Sequence, residues 1–219
     1  MKNKKLVIFI SLFIVVAGFI GAKKLYEKSL VQKMEFLASD NFNTFVRDYS
    51  PVLGSPDAKV YITEFLDPEC ESCRAVYPAV KEIMKEFEGK VKLVVRYAPF
   101  HGNSVMAVRI LEAARAQGKY WEALELLFEK QPEWGDHHNP RPSLIWTYLP
   151  TIGIDVERLQ KDMENPIILT RLQRDVEDGR MLDVRQTPTF FVNGKPLTSF
   201  GIPQLRSLVK DQVEQTTYQ

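Results

Sequence analysis

Cysteine is scarce in this chain: two residues among 219, both inside Cys70-Glu71-Ser72-Cys73. With no third thiol, the pair has nothing else in the chain to mispair with. Nor can it complete a four-ligand zinc site without more cysteine or a histidine pair. A ring closed over so short a run removes little chain entropy, so the pair reads as chemistry before it reads as a staple. Histidine is almost as rare, with three residues. Two of them stand in Asp136-His137-His138, where neighbouring side chains seldom converge on one ion, so a solvated loop and no metal are expected. Excess charge is missing too: 29 Lys and Arg against 28 Asp and Glu leave +1. No basic block lies beyond the N-terminus, so nothing electrostatic points to nucleic acid. There is no Gly-rich phosphate loop and no Gly-x-Ser-x-Gly elbow, and no cofactor is expected. Ser72 has no credible base, and Trp121 and Phe128 sit at helical core spacing.

What is present begins with an address. Lys2, Lys4 and Lys5 precede an apolar run over residues 6–22. Basic residues followed by such a run form a secretory targeting signal. The run is just long enough to span a bilayer. Val15-Val16-Ala17 fits a small-residue cleavage site only loosely. A retained anchor in the inner membrane is therefore the first reading and a cleaved signal the second; a buried core helix comes third. Both main readings place the rest of the chain in the periplasm or another extracytoplasmic, oxidising space. Residues 23–50 read as one or two short amphipathic helices joining membrane to domain. The breaker-rich run 51–57 marks the start of the folded body, residues 51–219.

Within that body the element order is informative. Residues 59–66 (KVYITEFL) read as a strand, Asp67-Pro68-Glu69 as a turn, and Cys70 as the start of a helix that Gly89 ends. Pro78 lies within that helix and should kink it. Residues 91–97 are a second strong strand, so a right-handed parallel βαβ unit is expected. His101 follows it, with no spacing that assigns it a role. A helical stretch comes next over about 102–182. It holds helices at 104–116, 120–128, 143–149, 155–163 and 166–182, a proline-containing loop at 131–142, and Ser143, Asp155 and Asn165 as N-caps. Residues 189–192 and 195–200 form a hairpin around Asn193-Gly194. A final helix covers 203–214.

This order resembles the thioredoxin fold, α/β with a central mixed sheet, and more closely its DsbA-like branch with a helical insertion. Cys70 and Cys73 follow the first strand. Glu64 lies six residues before Cys70, where the superfamily keeps a buried acid. Pro78 matches the kink proline of the active-site helix, and Thr187-Pro188 stands where the superfamily has its cis-proline. The likeness covers residues 50 to 215. It implies a protein thiol-disulfide oxidoreductase that exchanges a Cys70–Cys73 disulfide with cysteines of secreted or envelope proteins. Cys70, at a helix N-terminus, is the thiolate and Cys73, one turn in, the more buried, resolving thiol. Glu64 moves protons for Cys73. Thr187 and Pro188 offer backbone to a client chain.

The chain departs from the best-known oxidase of the branch, which has Pro and His between its cysteines. Glu71 and Ser72 stand there instead. A carboxylate beside the sulfur disfavours a thiolate, so a weaker oxidant is expected. Oxidase action, with a quinone-linked membrane partner, remains the first reading. A reductase or isomerase fed by a membrane thiol donor is the second. A tethered peptide-binding or chaperone module with little redox turnover is the third. A monomer is the default.

Overall fold

A computed structural model describes residues 2–40, 42–136 and 138–217 of the chain. The first element is a single helix, α1 (Lys2–Asp40), followed by a short turn of helix, α2 (Phe42–Phe45). The linker helices expected after residue 22 are thus continuous with the apolar run. No Gly or Pro interrupts residues 23–40, so nothing in the backbone stops propagation. Its stretch Ile8–Lys33 is long and apolar enough to cross a membrane, and residues 8–26 of it are exposed.

Among the described residues five strands and seven further helices follow in order. They are β1 (Val52–Leu53), β2 (Val60–Leu66), α3 (Glu71–Glu86), β3 (Val91–Tyr97), α4 (Ser104–Arg115), α5 (Tyr120–Trp134), α6 (Ile145–Tyr148), α7 (Val156–Asp162), α8 (Pro166–Met181), β4 (Thr189–Val192), β5 (Lys195–Pro196) and α9 (Ile202–Thr217). The sheet order is β1-β3-β2-β4-β5. β2 and β3 are parallel, the pairing a βαβ unit gives, and β4 runs antiparallel to β2. This is the thioredoxin fold, with helices α4 to α8 inserted between its halves.

The central strand β2 is buried at all seven positions. Alternation divides it between two cores. Val60, Ile62 and Leu66 face the larger one with α3, α4 and α5. Tyr61 and Phe65 face a smaller one holding Phe45, Val94, Leu182, Val184 and Phe191. Phe45 is fully buried, its ring edge-on to Phe191 at 5.2 Å. Packing therefore reaches back past residue 51, where the sequence places the boundary.

A buried cation ties these pieces together. Arg96 on β3 is fully buried and donates to Asp175 (2.9 Å), to Asp178 (2.5 Å) and to the carbonyl of Thr44 (2.6 Å). Arg47 adds a second guanidinium to Asp178 at 2.8 Å. Arg96 thus joins the segment after α1, the sheet and α8.

Three expected boundaries move. Helix α5 runs on to Trp134 through Pro132, where a loop from 131 is expected. Trp134 is fully buried and its indole N–H reaches the carbonyl of Leu127 at 2.8 Å, so burial outweighs the lost proline donor so near the helix end. The expected helix 143–149 is broken into 3-10 turns around α6, Pro142–Leu144 and Leu149–Ile152, and Ser143 lies inside the first rather than capping anything. Strand β5 stops at Pro196, which has no N–H to continue the ladder. Asp155 and Asn165 do cap their helices, accepting from the amides of Arg158 and Ile167. Asn193 and Gly194, at φ of 48° and 79°, form the β4–β5 turn that such a dipeptide favours.

Candidate active site

The site is built where β2 ends and α3 begins. Cys70 is the N-cap of α3, in extended conformation, and its amide bonds to the carbonyl of Asp67 at 3.0 Å. Cys73 lies one turn in and is fully buried, whereas Cys70 retains 6% exposure. Both are free thiols, the dithiol form of the pair. Glu71 and Ser72 between them are exposed on the first turn.

The two sulfurs titrate far apart. Cys70 is pulled down to about 5. The largest cause is the hydrogen bond from the Cys73 thiol. The Thr187 hydroxyl and the amides of Cys73 and Ser72 add to it, against an opposing cost of burial. These amides are donors that a helix start leaves unpaired, and they favour an anion there. Cys73 is pushed strongly upward, first by burial, then by its bond to Cys70 and by the charge of Glu64. One sulfur is therefore a thiolate at neutral pH while the other holds its proton.

Glu64 sits at the middle of β2, not on an edge strand. Across the sheet it registers with Val95 on β3 and Phe190 on β4, apolar on either side. It is fully buried, and among the described residues neither carboxylate oxygen has a hydrogen-bond partner. Burial first, and the Cys70 charge second, raise it to about 8. A carboxyl that keeps its proton until mildly basic pH can give and take protons under working conditions. Its parity with Ile62 and Leu66 turns it toward α3 and Cys73.

Thr187 and Pro188 complete the approach to Cys70. Their peptide bond is cis, and the Cys70 sulfur lies 3.3 Å from the Thr187 carbonyl, to which its protonated form donates. The structure thus brings together Cys70, Cys73, Glu64, Thr187 and Pro188.

Sequence reasoning passes over a second layer. Asp67, read as a turn residue, is fully buried and gathers donors from across the chain. The amides of Glu69 (2.9 Å) and Phe100 (2.7 Å), the Ser104 hydroxyl (2.5 Å) and Nδ1 of His101 (2.7 Å) all reach its carboxylate. Glu69, also buried, accepts from the backbone and side chain of Asn103 at 2.6 and 2.7 Å. Gln131 donates to the Pro68 carbonyl and accepts from Arg74 of α3. The loop carrying Cys70 is thereby fastened to the start of α4 and the end of α5. Two acids flanking a proline just before the pair were the visible signal. In the run Asp136-His137-His138, His137 lies outside the described residues. Among the described residues no group of three or more His, Cys, Asp or Glu is placed to hold a metal.

Comparison with known proteins agrees with this geometry. A thioredoxin family model matches residues 47–211. A thioredoxin-like oxidoreductase from Silicibacter pomeroyi DSS-3 superposes with a TM-score of 0.69 at 27% identity, over 82% of this chain and 99% of that one. The thiol-disulfide exchange protein alpha-DsbA2 from Wolbachia pipientis gives a TM-score of 0.72 at 20% identity, over 86% and 98% of the two chains. By sequence, the chain is 33% identical over 146 residues to the Na(+)/H(+) antiporter NhaA of Herminiimonas arsenicoxydans, covering 67% of this chain and 22% of the antiporter. The chain spans about a quarter or less of the length of such curated relatives, 22% to 25%.

Proposed function

Because this chain belongs to the thioredoxin family, in its DsbA-like form, we propose that it is a thiol-disulfide oxidoreductase that forms disulfides in exported proteins. The observation that carries the oxidising direction is the low-lying Cys70 thiolate, near 5. A disulfide oxidises strongly when its reduced form is stabilised. In the proposed cycle a client thiolate attacks the Cys70 sulfur of the oxidised pair. The Cys70–Cys73 bond breaks, a client–Cys70 bond forms, and Cys73 leaves with a proton from Glu64. A second client thiolate then attacks the client sulfur. The client gains its disulfide and Cys70 leaves as a thiolate. Two electrons have passed from client to enzyme, and a membrane-bound oxidant, such as a quinone-linked enzyme, removes them. The backbone of Thr187 and Pro188 holds the client strand beside Cys70.

The apolar stretch of α1 supports anchoring to the outer face of the inner membrane. Glu71 favours a second direction. Its negative charge beside the sulfur works against the thiolate, and a pair kept reduced by a membrane thiol donor would act as reductase or isomerase. The redox state in cells separates the two. Acid-trapped, thiol-labelled protein should carry an oxidised Cys70–Cys73 pair; a mostly reduced pair supports the second direction. Cys73→Ala should accumulate mixed disulfides through Cys70. If no adduct forms, and activity survives loss of both thiols, the chain is a peptide-binding module instead.

A further inference from the structure

The loop ahead of Cys70 concentrates negative charge. Asp67 and Glu69 are buried within three residues of the sulfur, and Asp67 also accepts the Cys70 amide on its carbonyl. Each carboxylate disfavours a thiolate nearby. The residues between the cysteines, Glu71 and Ser72, bring no positive charge to offset them. His101 meets this cluster from the other side. Its Nδ1 lies 2.7 Å from Asp67, and its backbone amide donates to the same oxygen at 3.2 Å. A ring nitrogen so close to a carboxylate donates to it, which fixes the ring and leaves Nε2 to carry the second proton. The ring is 27% exposed while Asp67 is fully covered.

We propose that His101, held by Asp67, is a positioning residue for the exchange reaction, and that its imidazolium supplies the positive charge that steadies the Cys70 thiolate. This rests on the oxidoreductase reading above. Partial burial lowers the proton affinity of the ring, but its bond to Asp67 and the negative charges of Asp67, Cys70 and Glu69 outweigh that and raise it above the ordinary value. Influence runs both ways between two titrating groups: if the thiolate favours the imidazolium, the imidazolium favours the thiolate. The DsbA-like site is thus served here by a histidine from the β3–α4 loop, not from between the cysteines.

The test is a titration of the reduced full-length chain, following thiolate absorbance at 240 nm against pH, in the parent, His101→Gln and His101→Lys. Gln keeps a donor to Asp67 and removes the charge; Lys keeps both. His101→Gln should weaken Cys70 ionisation about tenfold, as loss of one nearby opposite charge does. His101→Lys should restore most of that. In glutathione buffers the same variants should follow suit, with His101→Gln about tenfold more oxidised at a given poise. If His101→Gln leaves the ionisation within twofold of the parent, or if Gln and Lys shift it alike, His101 is only a structural ligand of Asp67. A parent that fails to exchange with any dithiol would overturn the oxidoreductase reading, while the absorbance titration still decides the role of His101.

Discussion

Glu64 offers the sharpest test, because a buried carboxyl with no hydrogen-bond partner must reveal itself in stability. In the unfolded chain it ionises near its ordinary value of 4.5, whereas in the fold it keeps its proton to about 8. Between those values the unfolded state is the one that has released its proton, so rising pH favours unfolding. The stability that protonated Glu64 provides is full below 4.5 and is progressively lost as pH climbs through 8. The loss grows by about 1.4 kcal/mol for each pH unit, reaching about 3 kcal/mol at pH 7. Glu64→Gln removes the ionisation and keeps the shape. Whatever offset the amide introduces at pH 4.5, the variant should gain about 3 kcal/mol on the parent between pH 4.5 and 7. With a urea slope of about 2 kcal/mol/M that is about 1.5 M in midpoint. The assay is urea unfolding of the reduced full-length chain, in phosphine reductant and neutral detergent, at several pH values. A gap that stays constant across this range would refute the placement of Glu64 as an unpaired, buried acid. The same variant should slow formation of the client–Cys70 mixed disulfide, since Cys73 then leaves without its proton donor.

Alkylation of Cys70 by iodoacetamide should follow a thiolate with a midpoint near pH 5, and Cys73 should stay unreactive in the folded protein; equal reactivity of the two would contradict the asymmetry. Arg96→Ala leaves Asp175 and Asp178 buried with their central cation gone, and should cost about 3–5 kcal/mol in denaturant unfolding. Gly179→Ala distinguishes packing from propensity. Helix propensity alone favours the alanine by about 1 kcal/mol. Its Cβ would lie 3.3 Å from Phe65 Cε1, a tight contact against a fully buried ring, so a net loss of stability by calorimetry is expected.

Much of the fold was legible because its signals are local. The β2–α3–β3 run is written in two β-rich segments around an amphipathic helix that opens at Cys70, and Asn193-Gly194 announces its turn. What escaped depends on distant partners. Glu64 could not be placed on a central or an edge strand from alternation alone, since β2 is apolar on both faces. Apart from the Glu69 amide, the donors to Asp67 come from residues 100, 101 and 104, on the far side of α3 and β3. No short-range pattern marks such a contact. Trp134 likewise carries α5 through Pro132 by burial that only the assembled core supplies. The absence of breakers in residues 23–40 was visible, but their mixed composition suggested shorter helices than the one formed.

The separation of the two sulfurs has an electrochemical consequence. Reducing the pair delivers two electrons. Above pH 5 the Cys70 sulfur accepts its share without a proton, while Cys73 must take one. The half-reaction therefore consumes one proton per two electrons. Its midpoint should fall by about 30 mV for each pH unit on this side, and about twice as steeply below pH 5 where Cys70 also protonates. The site is then a better oxidant in an acidified compartment than in an alkaline one, and the bend in its potential reports the Cys70 thiolate without any optical probe.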